Sequence, residues 1–191
     1  MARADRHPAV RYNLPAWLRI RPETRADHAS VSAVVFAAFG SEDEPTLVEA
    51  IRASPEFLPD LSLVAEVAGQ VVGHVMISYA AICDGGAQTR VALLAPLAVA
   101  PEFHCRGIGS ALVRRVTALA EDRGEPVVVL EGSPVFYGRL GFEYSVPYGI
   151  HLPLPPWAPA EASQVLRLRN YSAAARGQVV YPPAFNGLGK H

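Results

Sequence analysis

Seventeen consecutive residues hold the clearest chemistry in this chain: Leu94-Ala-Pro-Leu-Ala-Val-Ala-Pro-Glu-Phe-His-Cys-Arg-Gly-Ile-Gly-Ser110. Pro96 interrupts the apolar run Val91 to Val99, which otherwise reads as a buried strand. Proline cannot donate to a sheet ladder, so pairing must break or bulge there. The break leaves the backbone of Leu97, Ala98 and Val99 free to bind something else. Pro101 then ends the strand, and Arg106-Gly107-Ile108-Gly109 leads into a helix whose apolar face is Ile108, Ala111, Leu112, Val116 and Leu119. Small residues let backbone N–H groups converge at a helix start, where unsatisfied donors and the helix dipole together attract an anion. Arg106 adds a full positive charge. Two glycines alone fit an ordinary turn, with Pro96 an incidental bulge. The order strand, break, loop, helix points instead to a phosphate-bearing ligand.

Other residue types frame the choice. A dinucleotide fingerprint needs glycine three positions after Gly109, and Leu112 stands there. A phosphate-binding Gly-Lys-Ser/Thr loop or a Schiff base needs a placed lysine, and among 17 basic residues the one lysine is Lys190. There is no Gly-x-Ser-x-Gly elbow, and no Cys/His/Asp spacing suggests a metal. Cys105, beside Arg106 at a helix start, can have a lowered thiol pKa, but it reads as an oxidisable loop residue; Cys83 reads as filler at a strand end.

These groups need elements to position them. Leu18 to Arg21 alternates as a short strand, closed by Pro22. Asp27 suits the N-cap of a helix with Val31, Val34, Val35 and Ala38 on one face. A second helix begins near Pro45, with Leu47, Val48 and Ile51 as its stripe. Strands over 61–67, 71–82 and 91–99 are joined by Ala68-Gly69-Gln70 and Asp84-Gly85-Gly86, so they are antiparallel neighbours. After the helix from Ile108, Gly124 and Pro126 form a stop, Val127 to Leu130 is a buried strand, and Pro134 opens a short helix through Leu140. Prolines crowd Pro147 to Pro159, an ordered loop or a linker. Val165 to Arg169 alternates as a last strand, and Val179 to Tyr181 reads as an edge. The fold class is α+β: a mostly antiparallel sheet of six to seven strands with helices on both faces. Residues 1–17 read as an arm, 18–170 as one domain and 171–191 as an extension packing on it or trailing.

At 191 residues, with half of them apolar and 18% charged, the chain can bury a full core. A net charge of -1 offers no basic field for nucleic acid or anionic lipid. No apolar run is long enough for a membrane span, Met1 to Tyr12 has no signal core, and two unpaired cysteines suit a reducing compartment. The expectation is a soluble, cytoplasmic protein.

Residues 97–112, Leu-Ala-Val-Ala-Pro-Glu-Phe-His-Cys-Arg-Gly-Ile-Gly-Ser-Ala-Leu, resemble the acetyl-CoA motif of the GNAT superfamily of N-acetyltransferases. Phe136-Tyr-Gly-Arg-Leu-Gly-Phe142 is similar to its second hallmark, and the tail from Val179 to Phe185 resembles one bacterial subgroup of predicted acetyltransferases. The resemblance runs from Leu18 to about Arg169. It implies acetyl transfer from acetyl-CoA to an amine of a small molecule or peptide, by direct attack in a ternary complex. It implies that Leu97, Ala98 and Val99 pair with the pantetheine arm and that the amides of His104, Cys105, Arg106, Gly107, Ile108, Gly109 and Ser110 hold the pyrophosphate. It makes Tyr137 the acid that protonates the departing thiolate; the plainer alternative is a core tyrosine. A free N–H near Val99 would hold the oxyanion. Superfamily members often dimerise. Two departures stand out: His104 replaces the usual Gln or Arg, and Glu131-Gly132-Ser133-Pro134 lacks an Asn found in many members.

The proton acceptor stays open. Glu42, Asp43 and Glu44 read as solvated caps or as a site for a cationic acceptor. His74 reads first as a core histidine and second as a water-mediated base. Glu131 ends a strand at the cofactor end of the sheet, as a cap or as a base. A CoA-binding module without transfer chemistry, and a different acyl donor admitted by a pocket that Pro147 to Pro159 reshapes, are the competing readings.

Overall fold

The structure, a computed structural model, describes residues 15–186. Most of the expected arm, 1–14, and the last five residues lie outside the described residues. The first strand, β1 (Leu18–Pro22), enters antiparallel to β2 (Phe57–Val67). Between them lie α1 (His28–Phe39) and α2 (Asp43–Arg52). Asp27 sits at the N-cap position of α1 but does not cap it. Its carboxylate accepts from the Thr24 amide at 2.7 Å and hydroxyl at 2.8 Å, and from two Arg21 nitrogens at 2.7 and 2.8 Å. That carboxylate closes the turn before the helix and ties it to β1.

Strands β3 (Gln70–Asp84) and β4 (Ala87–Val99) continue the meander. Both turns are the two-residue type that alternation and glycine announce. Beyond them come α3 (Ile108–Asp122), β5 (Val127–Glu131), α4 (Pro134–Tyr137), β6 (Glu143–Tyr144), β7 (Ile150–His151), β8 (Ser163–Arg167) and β9 (Gly177–Val180). The sheet has nine strands among the described residues, in the order β1-β2-β3-β4-β5-β8-β6, with β9 paired to β3 and to β7. The expectation of six to seven falls short because β6 and β7 are two residues each, too short for any alternation to show. The proline-rich stretch is ordered loop: it contains β7, and β9 draws the segment after 170 onto the sheet at Ala81 to Cys83.

Helices cover both faces. Leu63, Ala65, Val75 and Ile77 point to one face, where Ile108, Leu112 and Val116 of α3 cover them. Val64, Met76 and Ala98 point to the other, under Val31, Val35, Leu47 and Ile51 of α1 and α2. Toward β5 and β8 no α-helix among the described residues covers this second face. Ile150, Leu152 and Val179 cover it, with Tyr148, Tyr171, Tyr181 and Phe185 packed alongside. No helix among the described residues is long and apolar enough to cross a membrane.

Candidate active site

Pro96 does what its chemistry requires. Register runs Gly73↔Val99, His74↔Ala98, Val75↔Leu97 and then slips to Ile77↔Leu94, leaving Ala95 and Pro96 as a bulge opposite Met76. The Ala95–Pro96 peptide is cis. On its other edge β4 meets β5 in parallel only at Ala92↔Val128 and Leu93↔Val129. From Leu94 onward the two strands part, and the sheet opens as a wedge.

The backbone directions in that wedge follow from one hydrogen bond. Ala100 N–H donates to Val72 O at 2.9 Å. Directly opposed antiparallel pairs alternate between bonded and non-bonded. Ala100 opposite Val72 is therefore a bonded pair, and so is Ala98 opposite His74. Leu97 and Val99 turn their N–H and C=O groups away from β3, into the wedge. Of the three backbone residues expected to be free, two face the opening and Ala98 is committed to the sheet. The Val99 carbonyl accepts from the His104 ring nitrogen at 2.8 Å, which braces the loop against the strand end.

The loop and helix start form a concave run of amides. A short turn over Pro101–Phe103 uses the His104 amide, which donates to Pro101 O at 3.1 Å. This amide is therefore engaged, contrary to the expectation that it joins the anion-binding group. Cys105 is exposed at φ 59° and Gly107 caps α3 at φ 80°. Left-handed residues alternating with others curl successive N–H groups inward, and the first amides of α3 have no intrahelical acceptor. This curl leaves the first amides of α3 open to an acceptor from outside the helix. Arg106 stands 5.2 Å over the Phe103 ring. The absent side chain of Gly109 leaves ordinary contact distance to Phe136 and Val99, so the helix start lies close to the wedge.

A cavity of about 720 Å³ fills the wedge. Leu94 to Leu97 line one wall and Glu131 to Pro134 the other. Tyr137 lines it too. Its ring is buried, edge-on to Phe136 at 4.8 Å and to Phe142 at 5.5 Å, and its hydroxyl makes no hydrogen bond to the described residues. Burial pushes the phenol up to about 12. Gly132, which the sequence marks only as part of a stretch lacking an Asn, makes room for this ring. A Cβ on Gly132 would collide with Tyr137 Cε2, so only glycine admits the tyrosine there. The signal was a glycine between a strand end and Ser133-Pro134.

The remaining candidates separate. Glu44, in the first turn of α2, lines the cavity, and its Oε2 is buried without a hydrogen-bond partner. Glu42 is exposed and off the cavity wall; its carbonyl accepts from the Thr46 amide. Glu131 stands at the cavity with its carboxyl raised by partial burial. His74 is not brought to the cavity. It is 0% exposed, its Nδ1 is 3.9 Å from Glu23 Oε2, and Glu23 is ion-paired with Arg52. Burial lowers its pKa to about 4, so it is a neutral core residue at neutral pH. Sequence reading also missed the far walls: Phe39 from the end of α1, Trp157 from the proline-rich segment, and Tyr181 and Phe185 from the tail.

A sheet opened at a bulge, with a curled run of amides at the next helix start, is the architecture of an acyltransferase. Residues 19–145 match the family model for an acetyltransferase (GNAT) domain, and the chain belongs to the GNAT acetyltransferase family. It is 31% identical over 169 residues to an uncharacterized N-acetyltransferase of Escherichia coli, YhbS, covering 87% of this chain and 98% of that protein. A second E. coli protein, the uncharacterized N-acetyltransferase YjhQ, is 32% identical over 133 residues, 66% of this chain and 74% of the relative. The crystal structure of YhbS in complex with CoA superposes with a TM-score of 0.81 at 29% identity, over 93% of this chain and 97% of that one. A GNAT acetyltransferase from Brucella melitensis in complex with acetyl-CoA gives 0.72 at 31% identity, over 88% and 98%. Enzymes of this family use acetyl-CoA as their cofactor.

Proposed function

We propose that the protein transfers an acetyl group from acetyl-CoA to a primary amine of a small molecule or peptide, in a ternary complex. The observation that carries this is the turn of Leu97 and Val99 toward a wedge that also contains Tyr137. The residues fit the cofactor: an unpaired strand edge suits the amide-rich pantetheine arm, and the curled amides of Cys105 to Ser110 suit a diphosphate. Bound there, acetyl-CoA supplies an acetyl group activated as a thioester.

The chain's own groups then do four things. The Val99 N–H, aimed into the wedge, stabilises negative charge on a carbonyl oxygen placed beside it. Tyr137, raised to about 12, keeps its proton throughout the neutral range and presents it to a sulfur anion by hydrogen bonding. Burial makes Glu131 a better proton acceptor than an ordinary glutamate, and it receives the amine's proton directly or through water. The apolar walls exclude water from the reacting atoms. The protein works in the cytoplasm, where acetyl-CoA is made and used.

The test is CoA release from acetyl-CoA across a panel of primary amines, with the acetylated product weighed by mass spectrometry. Release that depends on amine, with an acetyl mass added to the amine, is the expected result. Tight CoA binding with no release to any amine would replace this reading with a CoA-binding module.

A further inference from the structure

Resting on the acetyl-transfer reading, we infer that the acceptor is a primary amine carried on a bulky apolar body, aromatic or branched alkyl, and that Glu44 anchors its ammonium group. The cavity has a cofactor side, formed by β4 and β5, and a far side that the cofactor-binding backbone does not build. That far side is made of Phe39, Leu47, Trp157, Tyr181 and Phe185. They come from α1, α2, the proline-rich segment and the tail. Trp157 is 82% exposed and Phe39 45% exposed, large apolar surfaces left open beside the cavity. Into this apolar setting the chain places one carboxylate oxygen that is buried and unpartnered, Glu44 Oε2.

A buried carboxylate oxygen without a partner is costly. Glu23, Asp27 and Glu66, by contrast, all have arginine partners. Glu44 lines the cavity and pairs with no cation among the described residues, so an ammonium group bound in the cavity is within reach of its carboxylate. An ammonium group satisfies Oε2 and is further held by the faces of neighbouring aromatic rings. The carbon body behind it gains from apolar walls. Amino sugars and polyamines fit poorly, because their additional hydroxyl or ammonium groups would be desolvated against Phe39, Leu47 and Phe185 without partners.

The experiment compares 2-phenylethylamine and isoamylamine with spermidine, glucosamine and a lysine peptide, reading kcat/KM for CoA release. In parallel, Trp157 fluorescence is titrated with each amine in a Trp17→Phe background containing CoA. The expected result is at least a tenfold preference for the two apolar amines, fluorescence saturation by them, and a tenfold or larger rise in KM in Glu44→Gln with kcat changed less than threefold. Glu44→Asp recovers part of that loss. Equal or better use of glucosamine or spermidine, or a Glu44→Gln enzyme with unchanged KM, would overturn the inference while leaving acetyl transfer standing. Saturable, Glu44-dependent fluorescence change without turnover would sustain the acceptor site and remove the transfer reading.

Discussion

Among the polar atoms buried without partners in the described residues, those of His74 and Glu44 differ in what lies beside them. In one region, both His74 ring nitrogens are sealed among Glu23, Arg52 and the α1–α2 core. In the other, Glu44, with its buried and unpartnered Oε2, lines a cavity of about 720 Å³ in the wedge between β4 and β5. An orphaned group enclosed by packing is a cost of building the fold. The same kind of group facing a cavity is a place for a ligand. Burial and missing partners alone do not separate the two; the neighbouring space does.

The comparison can be broken most strongly at the wedge. Gly107→Pro forces φ near −65° where the chain needs 80°, which uncurls the amide run. Its expected effect is a hundredfold or greater loss in CoA affinity by calorimetry, with the melting temperature checked to confirm folding. Tyr137→Phe removes only the hydroxyl. It should lower kcat about 100-fold, in the range of general acid catalysis, with CoA affinity within threefold. Gly132→Ala drives the Tyr137 ring out of place and should lower kcat about tenfold or more, again with little change in CoA affinity.

The sealed region should respond to pH through stability and not through catalysis. His74 has its folded pKa lowered to about 4 from 6.5, so the unfolded chain binds more protons between those values. Stability present above pH 6.5 is therefore lost as pH falls toward 4, by on the order of 3 kcal/mol. Glu23, also lowered, adds to the loss at the acid end. Urea unfolding from pH 7 to pH 4.5 should show this slope, and His74→Gln should flatten it. The smallest effect belongs to Glu42→Gln, which should change neither KM nor stability, since that side chain is exposed and off the cavity.

The legible part of the site was the part written into backbone chemistry. Pro96 announces the bulge, and Gly107 and Gly109 announce the helix start, because proline and glycine restrict or free the backbone wherever they stand. The meander of β2 to β4 was equally plain from alternation and turns. What stayed hidden depends on distant segments meeting. Tyr181 and Phe185 follow β9, which folds back onto β3 through a pairing of three residues, and Trp157 comes to the cavity from the proline-rich segment. Glu42 and Glu44 look alike in sequence, and a difference of two positions at the start of α2 decides which one faces the cavity. His74 meets Glu23 and Arg52 across more than one element, so nothing local marks it as a member of an ion-pair cluster.

Hydrogen–deuterium exchange, read residue by residue with and without saturating CoA, tests the central claim most directly. If the wedge and the helix start receive the cofactor, the amides of Leu97, Val99 and Cys105 to Ser110 exchange more slowly on binding, while Ala98, already bonded to β3, does not change. Unchanged exchange at Leu97 and Val99 under CoA saturation, or protection confined to another surface, would contradict it.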